Sequence, residues 1–163
     1  MVWAAIGGTG TIRRRSELII MERDAESKKN GYTATSYLDT LYWGLLPIYH
    51  NELFMQDNAP IHTAHIVRAW INQEGINTLI GWPPYSPDLN PIEHLWPRLK
   101  ELIYQLDPEL DMIKDKDSQR VRLCKVLPKV WEQIPVEIVE GCLNSMRSRL
   151  QAVIDADGWH TKY

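Results

Sequence analysis

The chain of 163 residues is poor in several things a specialised protein would show. It has two cysteines and a single phenylalanine, and its 18 Lys and Arg do not outnumber its 21 Asp and Glu, leaving a net charge of −3. Cys124 and Cys142 stand alone in helix-type patterns, with no Cys-x-x-Cys spacing, so a disulfide framework is not expected and a reducing compartment is. No apolar run approaches the roughly 18 residues of a membrane-spanning helix. Met1 to Ile6 run into Gly7-Gly8 without a basic lead or cleavage pattern, so neither a membrane span nor a secretory signal is expected. The acidic balance offers no global attraction to a polyanion, so any nucleic-acid role must rest on local patches. What is present is 44% hydrophobic residues, 24% charged residues and seven Trp, the make-up of an ordinary folded domain.

The pattern along the chain alternates strands and helices. Met1–Ile6 and Ser16–Met21 read as a β-hairpin, and Glu22 to Asn30 as a surface loop. Thr33 or Thr35 caps a helix with its apolar stripe on Tyr37, Leu38, Leu41, Tyr42, Leu45 and Leu46, stopped at Pro47. Leu53–Gln56 reads as a short buried strand, Thr63 to Gly75 as an amphipathic helix and Ile76–Ile80 as a second strand, which together make a βαβ-like unit. Four prolines within Trp82–Pro91 exclude a central strand there. Ile92, Leu95, Trp96, Leu99, Leu102, Ile103 and Leu106 mark a long helix. The charged stretch Asp107–Arg122 reads as a surface crossover into a helix that kinks or starts at Pro128, and Val139 to Val153 reads as one last helix stopped at Gly158. Nothing in the sequence marks a linker, so residues 1–163 read as a single domain.

Two carboxylates stand out by context. Asp57 follows a short apolar strand and Glu93 lies in the first turn of the clearest helix. Acids at a strand end and a nearby helix start can share a hard cation such as Mg²⁺ through oxygen ligation, the arrangement two-metal phosphoryl chemistry uses. Structural readings stand beside this one. Asn90-Pro91-Ile92-Glu93 fits a capping box, and Asp57-Asn58 is a common turn pair. Pro97 cannot donate to the carbonyl of Glu93, so a helix running through both should bend or leave that carbonyl free. His62 and His65 have a weak zinc-like spacing with no cysteine near, and zinc is discounted.

Taken together, Gln56-Asp-Asn-Ala-Pro-Ile-His-Thr63 and Trp82-Pro-Pro-Tyr-Ser-Pro-Asp-Leu-Asn-Pro-Ile-Glu-His-Leu-Trp96 closely resemble the Asp-Asp-Glu catalytic domain of Tc/mariner DNA transposases. The resemblance extends to Val2-Trp3-Ala4, Tyr37-Leu38 through Leu46-Pro47, Trp131, Ile134-Pro135 and His160-Thr-Lys-Tyr163. It implies an α/β, RNase H-like fold, a mixed sheet flanked by helices. It also implies Asp57 as the second and Glu93 as the third catalytic carboxylate, two Mg²⁺ or Mn²⁺ ions, and strand cleavage followed by strand transfer on DNA in the nucleus. Asn58 and His62 match polar positions after the second Asp and take supporting roles at most.

The family's first Asp belongs upstream of the segment that Val2-Trp3-Ala4 resembles, and no internal acid replaces it, since Asp24, Asp39 and Asp88 follow no buried strand. The expectation is therefore a fold lacking its first strand, weak or single-ion metal binding and cleavage impaired or absent. The alternative is a non-catalytic binding module that keeps the fold and self-associates as a homo-oligomer along an exposed sheet edge. A third reading is that the native protein begins earlier and carries that acid upstream of Met1. The family's helix-turn-helix modules are not in this sequence, so contact with DNA would rest on Arg13, Arg14, Arg15, Arg98 and Lys100 and on smaller patches at Lys28-Lys29 and Arg147 with Arg149.

Overall fold

The computed structural model describes residues 1–8 and 14–163. The chain divides into two compact units, Met1–Ser86 and Pro87–Tyr163.

In the first unit the expected hairpin forms in two pieces. β1 (Val2–Trp3) pairs antiparallel with β4 (Ile19–Ile20), and β2 (Ile6–Gly7) with β3 (Arg14–Arg15). Buried Ser16 bridges the interruption, its amide donating to the Ala5 carbonyl and its hydroxyl accepting from the Ala5 amide. The residues that would turn the hairpin, Arg13 among them, lie outside the described residues.

α1 (Ala34–Thr40) starts at Thr33, whose hydroxyl accepts from the Ser36 amide while the Ser36 hydroxyl accepts from the Thr33 amide. It runs on through a π turn, Leu41–Leu45, and a 3-10 turn, Leu46–Ile48, that carries Pro47. Gly44 is required in that turn, because a Cβ there would lie 2.5 Å from Trp3 Cζ3 and 3.0 Å from Ile19 Cγ1. The unit's core is Met21, Tyr37, Leu41, Leu45, Val67, Ile71 and Ile76, with Trp3, Phe54 and Trp70 packed on it. Within that core α2 (His65–Gln73) lies against α1, and Gly75, at φ +66°, closes it as expected.

The strand–helix–strand order holds, but the two strands are reduced to one parallel bridge between Phe54 and Thr78. Phe54 donates to the Asn77 carbonyl at 2.7 Å and accepts from Leu79 at 2.9 Å. The ladder stops there because its flanks have no core to enter: Leu53 is 55% and Ile80 92% exposed, and the turn at Asp57 begins three residues after Phe54.

The second unit is helical. Two 3-10 turns, Pro87–Leu89 and Pro91–His94, precede α3 (Leu95–Leu106). The long helix thus begins later than its apolar spacing suggested. Pro97 consequently falls in its first turn, where no helical donor is needed. Asp107–Arg122 is not the expected crossover. It holds a 3-10 turn, Pro108–Met112, and then the first part of α4 (Lys116–Gln133), which Asp115 caps by accepting from the Ser118 amide. Arg122 grips the buried Asp107 carboxylate with both Nε and Nη2. Nor does α4 start at Pro128. It passes through, and burial of Leu127, Val130 and Trp131 on either side offsets the bond that proline removes. Trp131 stacks on Trp96 at 5.8 Å, tying α4 to α3. The last helix divides at Ser145 into α5 (Val136–Asn144) and α6 (Met146–Asp155). Of its expected apolar face, Val139 and Cys142 are buried as read, but Leu150 is 51% exposed and its neighbour Arg149 is buried instead. No helix among the described residues is long and apolar enough to cross a membrane.

Candidate active site

The first carboxylate is held by its own neighbourhood. Asp57 Oδ1 accepts from the Ala59 amide at 3.0 Å, an Asx turn, and lies 2.6 Å from His62 Nδ1. A helical turn makes this possible: the His62 and Thr63 amides both donate to the Ala59 carbonyl, swinging the imidazole back over the carboxylate. His62 rests on the Tyr37 ring, centroids 4.2 Å apart. The Tyr37 hydroxyl donates to Gln56 Oε1 at 2.6 Å, one residue before the acid. Burial pushes the Tyr37 phenol well above its ordinary pKa, a hydrogen bond from the Trp3 side chain opposes the shift, and the Asp57 charge adds to it. Asn58 Nδ2 donates to the Trp82 carbonyl at 2.7 Å and moors the proline-rich loop to the same turn.

Asp57 nevertheless keeps 57% of its side chain exposed. Its hydrogen bonds from the described residues fall on Oδ1, so orientation is secured by one oxygen of the pair. Of the two supporting candidates, His62 pairs directly with Asp57, and Asn58 ties the adjacent residue of the turn to Trp82.

In the second unit Glu93 is exposed in the turn Pro91–His94, its amide donating to the Asn90 carbonyl at 3.2 Å. The capping box anticipated for Asn90 is absent, since Asn90 makes no side-chain cap hydrogen bond. Around this turn stands a cluster the sequence did not announce. Asp88, buried, accepts from the Thr161 hydroxyl at 2.9 Å, and its carbonyl accepts from Arg149 Nη1 at 2.6 Å. Arg149 lies over the Tyr163 ring, which meets His94 edge-on at 6.5 Å. Burial lowers the pKa of Arg149. Burial, and then the Arg149 charge, lowers that of His94.

The basic residues named from sequence are partly engaged. Arg14 is paired with Glu52, and Arg98 with Glu101 one helical turn on, at 2.5 Å. Lys100 is exposed on α3, Arg15 lies in β3, and Arg13 is outside the described residues. Arg149 is no surface patch, because its guanidinium is buried.

The donor chemistry of the two acids, carboxylate oxygens open to solvent, suits a hard divalent cation. Among the described residues no group of three or more His, Cys, Asp or Glu side chains is placed to hold a metal.

Residues 9–115, which include both acids, match the family described as DDE superfamily endonuclease. The chain belongs to the DDE superfamily endonucleases. Its sequence is 33% identical over 165 aligned residues to the transposable element Tc1 transposase of Caenorhabditis elegans, covering 100% of this chain and 54% of that protein. The chain thus spans about half the length of the curated relative it matches. The solved catalytic domain of Mos1 transposase with raltegravir and manganese superposes with a TM-score of 0.65 at 20% identity, over 99% of this chain and 84% of that one. The same domain with raltegravir and magnesium superposes with a TM-score of 0.64 at 21% identity, over 91% of this chain and 78% of that one. This DDE superfamily member has the RNase H-like fold, as the motifs implied, and among the described residues its sheet is confined to short ladders.

Proposed function

We propose that this chain supplies Asp57 and Glu93 to the carboxylate set of a metal-dependent site for DNA strand cleavage and strand transfer. The observation that carries the reading is the state of Asp57. It is an oriented carboxylate, fixed through Oδ1 by the Ala59 amide and His62, that still exposes more than half of its side chain. An acid serving only its own turn would have no need of a histidine stacked on a buried tyrosine to hold it still.

In this reading Asp57 and Glu93 offer oxygen ligands to Mg²⁺ or Mn²⁺. When bound, the ions would screen phosphate charge and activate an oxygen nucleophile. His62 keeps Asp57 in one rotamer, Tyr37 keeps the imidazole in place, and Asn58 holds the Trp82–Ser86 loop beside the acid. Lys100 offers a cation to the phosphate backbone, and Arg14 and Arg98 would have to exchange their Glu partners for phosphates to do the same. In this reading the substrate is DNA, and the nuclear location is the one the family resemblance implies.

The test is Mn²⁺ binding to the chain, read by calorimetry, together with nicking of plasmid DNA. Losing a partner that merely orients a metal ligand typically weakens binding by about 10–100-fold. Asp57→Asn and Glu93→Gln should each weaken Mn²⁺ by at least that lower bound and abolish any nicking. Unchanged binding in both variants would overturn the reading and favour a non-catalytic binding module that keeps the fold.

A further inference from the structure

Among the described residues Arg149 is the only buried lysine or arginine, with 2% of its surface exposed. A guanidinium kept from water is costly unless its donors are used, and these are. Nε donates to the Ser145 hydroxyl at 2.7 Å, and that hydroxyl donates on to the Cys142 carbonyl at 2.6 Å. Nη1 donates to the Asp88 carbonyl at 2.6 Å, and the face of the group lies 4.7 Å from the centroid of Tyr163. The arginine thus joins α6 and the α5–α6 junction to a segment sixty-one residues earlier in the chain.

That segment leads directly to Glu93. Pro87–Leu89 and Pro91–His94 are consecutive 3-10 turns joined at Asn90, whose amide donates to the Pro87 carbonyl at 3.0 Å. Such turns have poorer hydrogen-bond geometry than an α-helix, and while Pro91–His94 leads directly into α3, Pro87–Leu89 has no helix of its own behind it. Both ends of the segment are held by the same cluster. At Asp88, Arg149 takes the carbonyl and Thr161 the carboxylate, while at His94 the Tyr163 ring packs edge-on. Buried Leu89 and Pro91 fill the space between. Glu93 itself is exposed, and the backbone of this segment presents it.

We propose that Arg149, Thr161 and Tyr163 clamp the Pro87–His94 segment and so position the Glu93 carboxylate. Arg149 is a positioning residue, and neither a DNA contact nor mere core filler. The proposal rests on the metal-ligand reading of Glu93 for its functional meaning, and on the geometry of the second unit alone for the clamp.

The experiment uses the full chain with Arg149→Met, which keeps volume and removes the donors, together with Arg149→Lys and Tyr163→Leu. Leu127→Ala, in the α4 core, serves as a control that lowers stability without touching the clamp. Two readouts are taken, amide hydrogen exchange in residues 87–95 compared with α4, and Mn²⁺ affinity. Arg149→Met and Tyr163→Leu should raise exchange in 87–95 selectively and weaken Mn²⁺ by about tenfold, the usual effect of losing a ligand-orienting partner. Arg149→Lys should recover only part, because an ammonium cannot make the planar pair of bonds and stack at once. Leu127→Ala should accelerate α4 and leave the 87–95 ratio and Mn²⁺ affinity unchanged. Exchange in 87–95 that stays at the wild-type rate in Arg149→Met, or rises equally in Leu127→Ala, would overturn the clamp. Wild-type Mn²⁺ affinity in Arg149→Met, where Glu93→Gln has lost it, would overturn the positioning role. Should Glu93→Gln itself leave Mn²⁺ binding intact, the metal reading falls, and the exchange arm still decides the clamp.

Discussion

Tyr37→Phe isolates one oxygen atom beneath the candidate site. Tyr37 has no exposed surface, its hydroxyl donates to Gln56 Oε1 at 2.6 Å, and the Trp3 side chain hydrogen-bonds to the same phenol. Removing that oxygen loses a net bond of about 1 kcal/mol and leaves an indole N–H and an amide oxygen short of a partner, at about 1–3 kcal/mol if neither is rehydrated. Both Trp3 and Gln56 are half-buried, so water recovers part of this, and the expected loss is about 1–2 kcal/mol. With a urea dependence of about 1–3 kcal/mol per molar, the unfolding midpoint should fall by roughly 0.3–2 M at constant slope. The aromatic ring that carries His62 survives in Phe. Mn²⁺ affinity should therefore stay near wild type in Tyr37→Phe and fall in Tyr37→Leu, which withdraws the ring from the imidazole. A midpoint that does not move would refute the hydrogen-bond reasoning. Equal Mn²⁺ affinity in the Phe and Leu variants would refute the role given to the stacked pair.

Gly44→Ala should destabilise the first unit. A Cβ 2.5 Å from Trp3 Cζ3 forces overpacking worth about 1–3 kcal/mol, only partly offset by the roughly 0.5–1 kcal/mol that Ala gains over Gly in a helical turn. A calorimetric melting temperature that rises in this variant would contradict that packing. Asp115, capping α4, has its carboxyl held below the ordinary value of 3.8 by Ser118, through the side chain first and the amide second. Because the folded value is the depressed one, its contribution is complete above pH 3.8 and fades as pH falls through that lower folded value. A carbon-detected NMR titration should put the Asp115 midpoint below 3.8, with the Ser118 amide following it, and a midpoint at or above 3.8 would remove the cap from the account.

How far the sequence foretold this structure depends on how local each determinant is. The α1 start at Thr33, the end of α2 at Gly75 and the turn at Asp57 are decided within a few residues, by a hydroxyl, a missing Cβ and a side chain bonding two residues ahead. Those features were readable. The strands around Phe54 and Thr78 looked better than they are, because a short apolar run reports only that burial is possible, and here Leu53 and Ile80 find no core to enter. The charged stretch before Arg122 misled in the opposite direction. Polar composition suggested a crossover, yet Asp115 caps a helix there and Arg122 reaches back fifteen residues to Asp107. Arg149 was beyond reach altogether, since its burial depends on Asp88, Thr161 and Tyr163, none of which lies near it in sequence.

The same contrast separates the two carboxylates. Asp57 is supported chiefly from within five residues, by Ala59 and His62, so a motif that keeps those residues together carries acid and support as a unit. Glu93 sits in the 3-10 turn that leads into α3, and the proposed clamp reaches its segment from residues sixty-one and seventy-three positions beyond Asp88. An exposed acid can be moved by any change that moves its backbone, so the two sites should fail differently. Damage to Asp57 should come from substitutions a reader of the motif would choose, at Asn58, His62 or the Tyr37 beneath them. Damage to Glu93 should also come from a buried arginine and an aromatic residue that lie outside its motif. A scan of metal affinity over the whole chain would show this as one sharp cluster around residue 57 and a second, dispersed one that includes Arg149 and Tyr163.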